Sequence, residues 1–228
     1  METVSESTSN HNEVLHAFLR VESGKTPQEI LEMFRSTTPQ MPPALFLQRL
    51  PGGNTVIQFF DDTPAKNMRK ADWTVTFDQA IAQKKQSNGC GVFFSVNAFN
   101  GRRRKECVAL LRAFYIDWDA AKQGGVQSQE EIDAAKVAML KRLLLLEGPF
   151  LPHVIIETRN GLHVLWFIDN GDRAITVPEY ERAMERLIEH FGADPGAKDV
   201  TRVLRLPGFL HLKDPASPFP VSFLYLDL

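Results

Sequence analysis

Short apolar runs separated by Pro, Gly and helix-capping residues divide this chain into interleaved strands and helices. Runs with strand character cover residues 44–50 and 55–60, on either side of Pro51-Gly52-Gly53, then 91–96, 113–118, 154–157, 162–168 and 221–225. Three helices announce their starts. Thr26-Pro27-Gln28-Glu29, Ser128-Gln129-Glu130-Glu131 and Thr176-Val177-Pro178-Glu179 each put a hydroxyl at the N-cap and a Glu three residues later. Gly148-Pro149 closes the run from Leu143 to Leu146, and Gly192 follows a helix built on Tyr180, Met184, Leu187 and Ile188. Arg159-Asn160-Gly161 predicts a tight hairpin. The pattern as a whole predicts a mixed α/β sheet protein with helices covering one or both faces. No internal repeat or linker divides it, and residues 1–11, rich in Ser, Thr, Asn and Glu, are expected to form a disordered tail.

Bulk properties narrow the picture only slightly. With 228 residues and 43% hydrophobic content the chain can build a sizeable core without staples. Its net charge is −2, from 26 basic and 28 acidic side chains, so any nucleic-acid contact must come from local patches. Cys90 and Cys107 lack C-x-x-C spacing, which argues against a zinc ribbon and for a reducing compartment. No apolar run approaches a membrane span and the N-terminus is not shaped like a signal peptide, so a cytoplasmic location is expected. The chain ends soon after its last strand, as a catalytic domain cut from a longer protein would.

Candidate chemistry concentrates in three places. In Phe114-Tyr115-Ile116-Asp117-Trp118-Asp119, strand alternation sends Asp117 and Asp119 to one face and Phe114, Ile116 and Trp118 to the core. The two Cα atoms would lie about 6.5 to 7 Å apart, within reach of one small, hard cation. Two carboxylates at the end of an apolar strand are costly unless neutralised. The competing reading ends the strand at Ile116 and leaves both acids in a solvated loop. The second place is the 154–166 hairpin, where Leu162, Val164 and Trp166 share a face and His163 takes the other, beside a turn bearing Arg159. Arg, His and a Gly turn together suit phosphate oxygens. The third is residues 192–213, where Arg202, Arg205, His211 and Lys213 accompany Asp194 and Asp199 in an otherwise apolar stretch. An ordinary loop with surface ion pairs is the alternative there.

Taken in order, FYIDWD, ETRNGLHVLW and a later Asp followed by RVLRLPGFLHLK resemble the three catalytic motifs of the archaeo-eukaryotic primase superfamily, nearest in pattern to the plasmid- and phage-encoded RepB-type primases and primase-polymerases. The stretch GVFFSVNAFNGRRRKECVALLRAFYIDWD resembles that family's entry into the first motif, and the likeness spans about residues 89–213. It implies a mixed sheet with an RRM-like palm and flanking helices. The catalytic domain would cover residues 12–228, an N-terminal α/β subregion of about 12–88 preceding a motif-bearing palm of about 89–228. The implied activity is primer synthesis on single-stranded DNA from ribo- or deoxyribonucleoside triphosphates in plasmid- or phage-type replication. Two magnesium or manganese ions would be held by Asp117, Asp119 and a third acid, Asp194 or, in reserve, Asp199. His163 would act in catalysis and, with Arg159, contact the nucleotide phosphates, joined by Arg202, Arg205, His211 and Lys213 in a cationic wall. Thr158 and Asn160 depart from the family's usual hairpin residues. A fused or recruited helicase is an implied partner.

Upstream, Arg102-Arg103-Arg104-Lys105 follows Phe99, a combination suited to strand phosphates and base stacking, or simply a solvated charge run. Two other classes compete with the primase reading. A metal-dependent nuclease or phosphodiesterase would use the same acids with water as the nucleophile and need no triphosphate. A replication-initiator module would keep the fold without activity. No His-x-His pair occurs, which disfavours nicking initiators of the HUH type.

Overall fold

A computed structural model describes residues 13–20, 24–122, 128–169 and 174–228. The tail expected over residues 1–11 lies outside the described residues. In chain order the elements are α1 (13–20), α2 (Pro27–Thr37), α3 (Pro43–Arg49), β1 (Ile57–Asp61), β2 (Asp72–Thr74), α4 (Gln79–Ser87), β3 (Cys90–Ser95), β4 (Ala98–Phe99), β5 (Val108–Leu110) and β6 (Ala113–Asp119). Then follow α5 (Gln129–Leu144), β7 (Val154–Glu157), β8 (Gly161–Phe167), α6 (Val177–Phe191), β9 (Val203–Arg205), β10 (Leu210–His211), β11 (Phe219–Pro220) and β12 (Ser222–Leu226).

The three capping signals read from the sequence open α2, α5 and α6, each as a reciprocal capping box. Gly192 ends α6 in the left-handed region, at φ 63°, where a side chain would be strained. Helix α6 buries Tyr180, Met184, Ile188 and Phe191, a single stripe at helical spacing that packs on β6.

One expected strand is a helix. Residues 44–50 fall in and just after α3, because Pro43 pre-sets the first helical φ and burial follows a helical period: Phe46 and Leu50 are buried four residues apart while Leu45 is exposed. A short, nearly continuous apolar run does not separate the two periods by itself.

The mixed α/β class holds, and within it the strands form two four-stranded sheets, β2-β1-β3-β9 and β12-β7-β8-β6, with the ribbons β4-β5 and β10-β11. All the strand pairings among the described residues are antiparallel, so neither sheet is mixed in direction. The expected hairpin joins β7 to β8, closed by the Thr158 amide donating to the Gly161 carbonyl at 2.9 Å. Its register sets Ile156 opposite His163, and the β6–β8 register sets Asp117 opposite His163 and Asp119 opposite Gly161. Gly161 has to be small. A Cβ there would overlap the Trp118 carbonyl.

Beneath this sheet Glu157 is fully buried and accepts from Arg35 of α2 at 2.7 Å and Lys136 of α5 at 3.0 Å. Removing one partner would leave an uncompensated buried charge, so the three residues fix both helices to the end of β7. Arg112, also fully buried, is held by the carbonyls of Val96, Ser95 and Gly52 and by the Thr55 hydroxyl, tying the approach to β6 onto the first sheet.

Candidate active site

A cleft of about 500 Å³ lies where the two sheets meet. The second sheet supplies Asp117, Asp119 and His163, and the first supplies Asp62, Phe93 and Arg205. Asp194, Arg202, His211 and Lys213 come from the segments around β9 and β10. Residues far apart in sequence, from Asp62 to Lys213, thus face one another.

Asp117 is the centre of the charge arrangement. Its Oδ2 lies 2.5 Å from Arg202 Nη2 and its Oδ1 3.5 Å from His163 Nε2. Burial pushes the Asp117 carboxyl upward, but His163 and Arg202 outweigh it and hold it well below the usual carboxylate range. Asp119, two residues on, shares the face and accepts from the Ala121 amide at 3.0 Å. Asp194 reaches the same place from another element. Its amide donates to the Asp117 carbonyl at 3.1 Å, and its Oδ1 caps the 3-10 turn Pro195–Lys198 through the Gly196 amide at 2.9 Å. The Tyr115 hydroxyl, on the Asp117 face of β6, holds that turn by donating to the Ala197 and Asp199 carbonyls. Lys122 at 2.8 Å keeps the Asp194 carboxyl below its ordinary range, and Arg202 stands 3.5 Å away.

The donor chemistry of this cluster fits a hard divalent cation. Three carboxylates face one cleft, and two cationic side chains have gathered on them in the way a metal would be gathered. No group of three His, Cys, Asp or Glu side chains converges on a single point among the described residues. Arg202 stands between Asp117 and Asp194, so these two acids are now joined through its guanidinium.

Residues 117–221 match the family model of the RepB DNA-primase N-terminal domain. Over this stretch the chain is similar to RepB-type DNA primases. The matched stretch opens on Asp117 and contains every expected site residue except those of the 99–104 segment. A "Replication protein" of Clostridium perfringens is 29% identical over 126 residues, which make up 54% of this chain and 29% of that protein. The chain therefore spans under a third of that relative's length. Among solved structures, the AEP domain of the primase-polymerase of cyanophage S-2L covers 79% of this chain and 86% of its own, at 20% identity and a TM-score of 0.54, which shows the fold. The catalytic domain of primase RepB′, solved with initiator DNA, covers 79% of this chain and 81% of its own, at 16% identity and a TM-score of 0.47.

Several residues of the primase-like motifs stand differently from the sequence expectation. Arg159 turns away from the cleft, its guanidinium bound to the Ser217 carbonyl and to Asp214 at 3.2 Å, and its neighbours Thr158 and Asn160 line the cleft instead. Arg205 is buried and held at two points by Asp62, at 2.6 and 2.7 Å, so much of its charge is already balanced. His211 is almost fully buried, and among the described residues neither ring nitrogen has a hydrogen-bond partner. Burial and Arg205 push its imidazole down to about 3, so it joins the wall as a neutral ring. Lys213 stands exposed at the rim. Asp199 caps Thr201 through its amide and hydroxyl and lies outside the cleft, whereas Asp194 lies within it.

Phe99 is wholly buried in the β4–β5 ribbon, where its ring has no open face for a base; an apolar residue in a two-residue strand fills the core under the turn. Within the basic run, Arg103 lines the cleft and donates to the Thr201 carbonyl at 2.5 Å, while Arg102 and Arg104 are exposed and Lys105 pairs with Glu181. Sequence reasoning missed Asp62 and Lys122. Asp61-Asp62 ends the apolar run Val56 to Phe60, which is the same signature that singled out Asp117 and Asp119. Lys122 carries no comparable signal.

Proposed function

We propose that this domain is the catalytic domain of a replication primase, joining nucleoside triphosphates on a single-stranded DNA template. What carries this reading is the convergence of Asp117, Asp119 and Asp194 with His163 and Arg202 in one cleft, from three separated motifs. Asp117, Asp119 and Asp194 would hold magnesium or manganese ions, which supply activation of the attacking 3′-hydroxyl and charge neutralisation at the triphosphate. The protein's own groups do the rest. Arg202, released from the carboxylates as they take up cations, and Lys213 balance the negative charge of the triphosphate. His163 is oriented by its Asp117 contact, with Nε2 3.5 Å from Oδ1, and presents its ring to the cleft where the triphosphate would sit. Arg205 stays with Asp62 and fixes β9 beside Arg202, and the Leu212 amide, donating to the same carboxylate, fixes the end of β10 that carries His211.

The test is pyrophosphate release. With single-stranded DNA, triphosphates and manganese together, release is expected, and omission of any one is expected to stop it. Cleavage of the strand without triphosphates would replace this reading with the nuclease one.

A further inference from the structure

We propose that the face of the first sheet opposite helices α3 and α4 is a stacking platform for single-stranded DNA, continuous with the cleft. The inference rests on strand register. Trp73 lies opposite Gln58, Gln58 opposite Phe93, and Phe93 opposite Arg205, so these four side chains form one row on one face of β2-β1-β3-β9. Phe60, two residues beyond Gln58 on β1, joins that face, its ring 5.5 Å from Phe93 and edge-on to it. The row spans about 14 Å at the usual strand spacing. Its inner end is the cleft wall, where Phe93 carries the Arg205 guanidinium 4.8 Å above its ring.

Helices occupy the opposite face. Phe46 of α3 packs 5.3 Å from Phe94, and Lys85 of α4 sits over Phe59 at 5.7 Å, both partners lying on the strand positions that alternate with Phe60 and Phe93. On this face Trp73 is 41% exposed and Phe60 and Phe93 are half-buried, while Gln58 and Arg205 lie buried between and beside them, so the rings of Trp73, Phe60 and Phe93 are the accessible part of the row. The other tryptophans, Trp118 and Trp166, are buried.

Charge identifies the occupant. The excursion from β1 to β2 starts at the cleft with Asp61 and Asp62 and carries exposed Lys66 and Arg69 toward the sheet edge. Lys66 lines the cleft from a left-handed backbone, φ 45°, which an ordinary Lys adopts only when its surroundings impose it. Aromatic rings on a four-stranded antiparallel face, flanked by unburied cations and leading into a nucleotide-sized cleft, fit bases and phosphates of a single strand; such sheets stack two or three bases. The role as template track depends on the primase reading above. Strand binding itself does not.

Trp73 is also the reporter. Titration of the protein with a short oligo(dT) should quench tryptophan emission. Anisotropy of a labelled oligo(dT) should show Trp73→Ala and Phe60→Ala each weakened on the order of tenfold or more, from the usual value of a stacked base. Trp73→Phe, which keeps a ring, should retain most of the affinity, and triphosphate binding should be unchanged in all three. Ala variants that bind like the wild type would overturn the platform. So would an unquenched Trp73 shown by sedimentation to be buried in a dimer of this chain. Quenching without any primer synthesis by the wild type would sink the catalytic reading and leave the platform; synthesis with unaffected Ala variants would do the reverse.

Discussion

Burial and the neighbouring Arg205 keep the His211 ring neutral in the folded protein, with its ionisation pushed down to about 3, whereas the unfolded chain would take up a proton near pH 6.5. Stability from this site is therefore complete above about pH 6.5 and is lost as the pH falls toward 3, at up to about 1.4 kcal/mol per pH unit. Urea unfolding at pH 7.5 and 5.5 should show the wild type losing about 1 kcal/mol that His211→Gln does not lose; identical losses would contradict the neutral ring. The residue types at the site were legible in the sequence, since Asp117, Asp119, Asp194, His163 and Arg202 all meet in the cleft. Their charge states were not. A string of letters shows His211 and Arg205 as cations, and only the fold reveals that Asp62, some 140 residues upstream, has claimed Arg205. The same holds for Phe99, which precedes a basic run in sequence and which the fold buries completely.

At the scale of elements, the site is built by register. A one-residue slip between β6 and β8 would send Asp117 and Asp119 to the opposite face and separate them from His163. Gly161 guards that register because it faces Asp119 across the pair with its Cα against the Trp118 carbonyl. Gly161→Ala is expected to cost about 2 kcal/mol or more in urea unfolding through overpacking, and to depress synthesis as Asp119 is displaced. Gly24→Ala, whose added Cβ meets nothing, is the control expected to change neither. An unperturbed Gly161→Ala protein would mean that the two strands tolerate separation and that register is held elsewhere. Strand and helix boundaries with a chemical cause, such as the capping boxes and the Asn-Gly hairpin, were readable in advance. The run 44–50 was not, because apolar residues on nearly every position suit either period until packing chooses which face to bury.

For the whole molecule, the two antiparallel sheets line one cleft, where Asp117 of one confronts Arg202, just before β9 in the other. Pattern alone gave the alternation of helices and strands but not the division into two sheets, since strand pairing is decided by contacts distant in sequence, such as β3 with β9 and β7 with β12. The fold matters because it brings these charges together from distant parts of the chain, with the Glu157 and Arg112 networks securing the scaffold. The most direct measurement is unprimed synthesis: circular single-stranded DNA, labelled triphosphates and manganese, with wild type beside the Asp117→Ala, Asp119→Ala double variant, and products resolved by length. Short labelled products from the wild type alone, with both proteins equally folded by circular dichroism, are the predicted result. Equal synthesis by the double variant, or none by the wild type on unprimed and primed templates alike, would contradict the account.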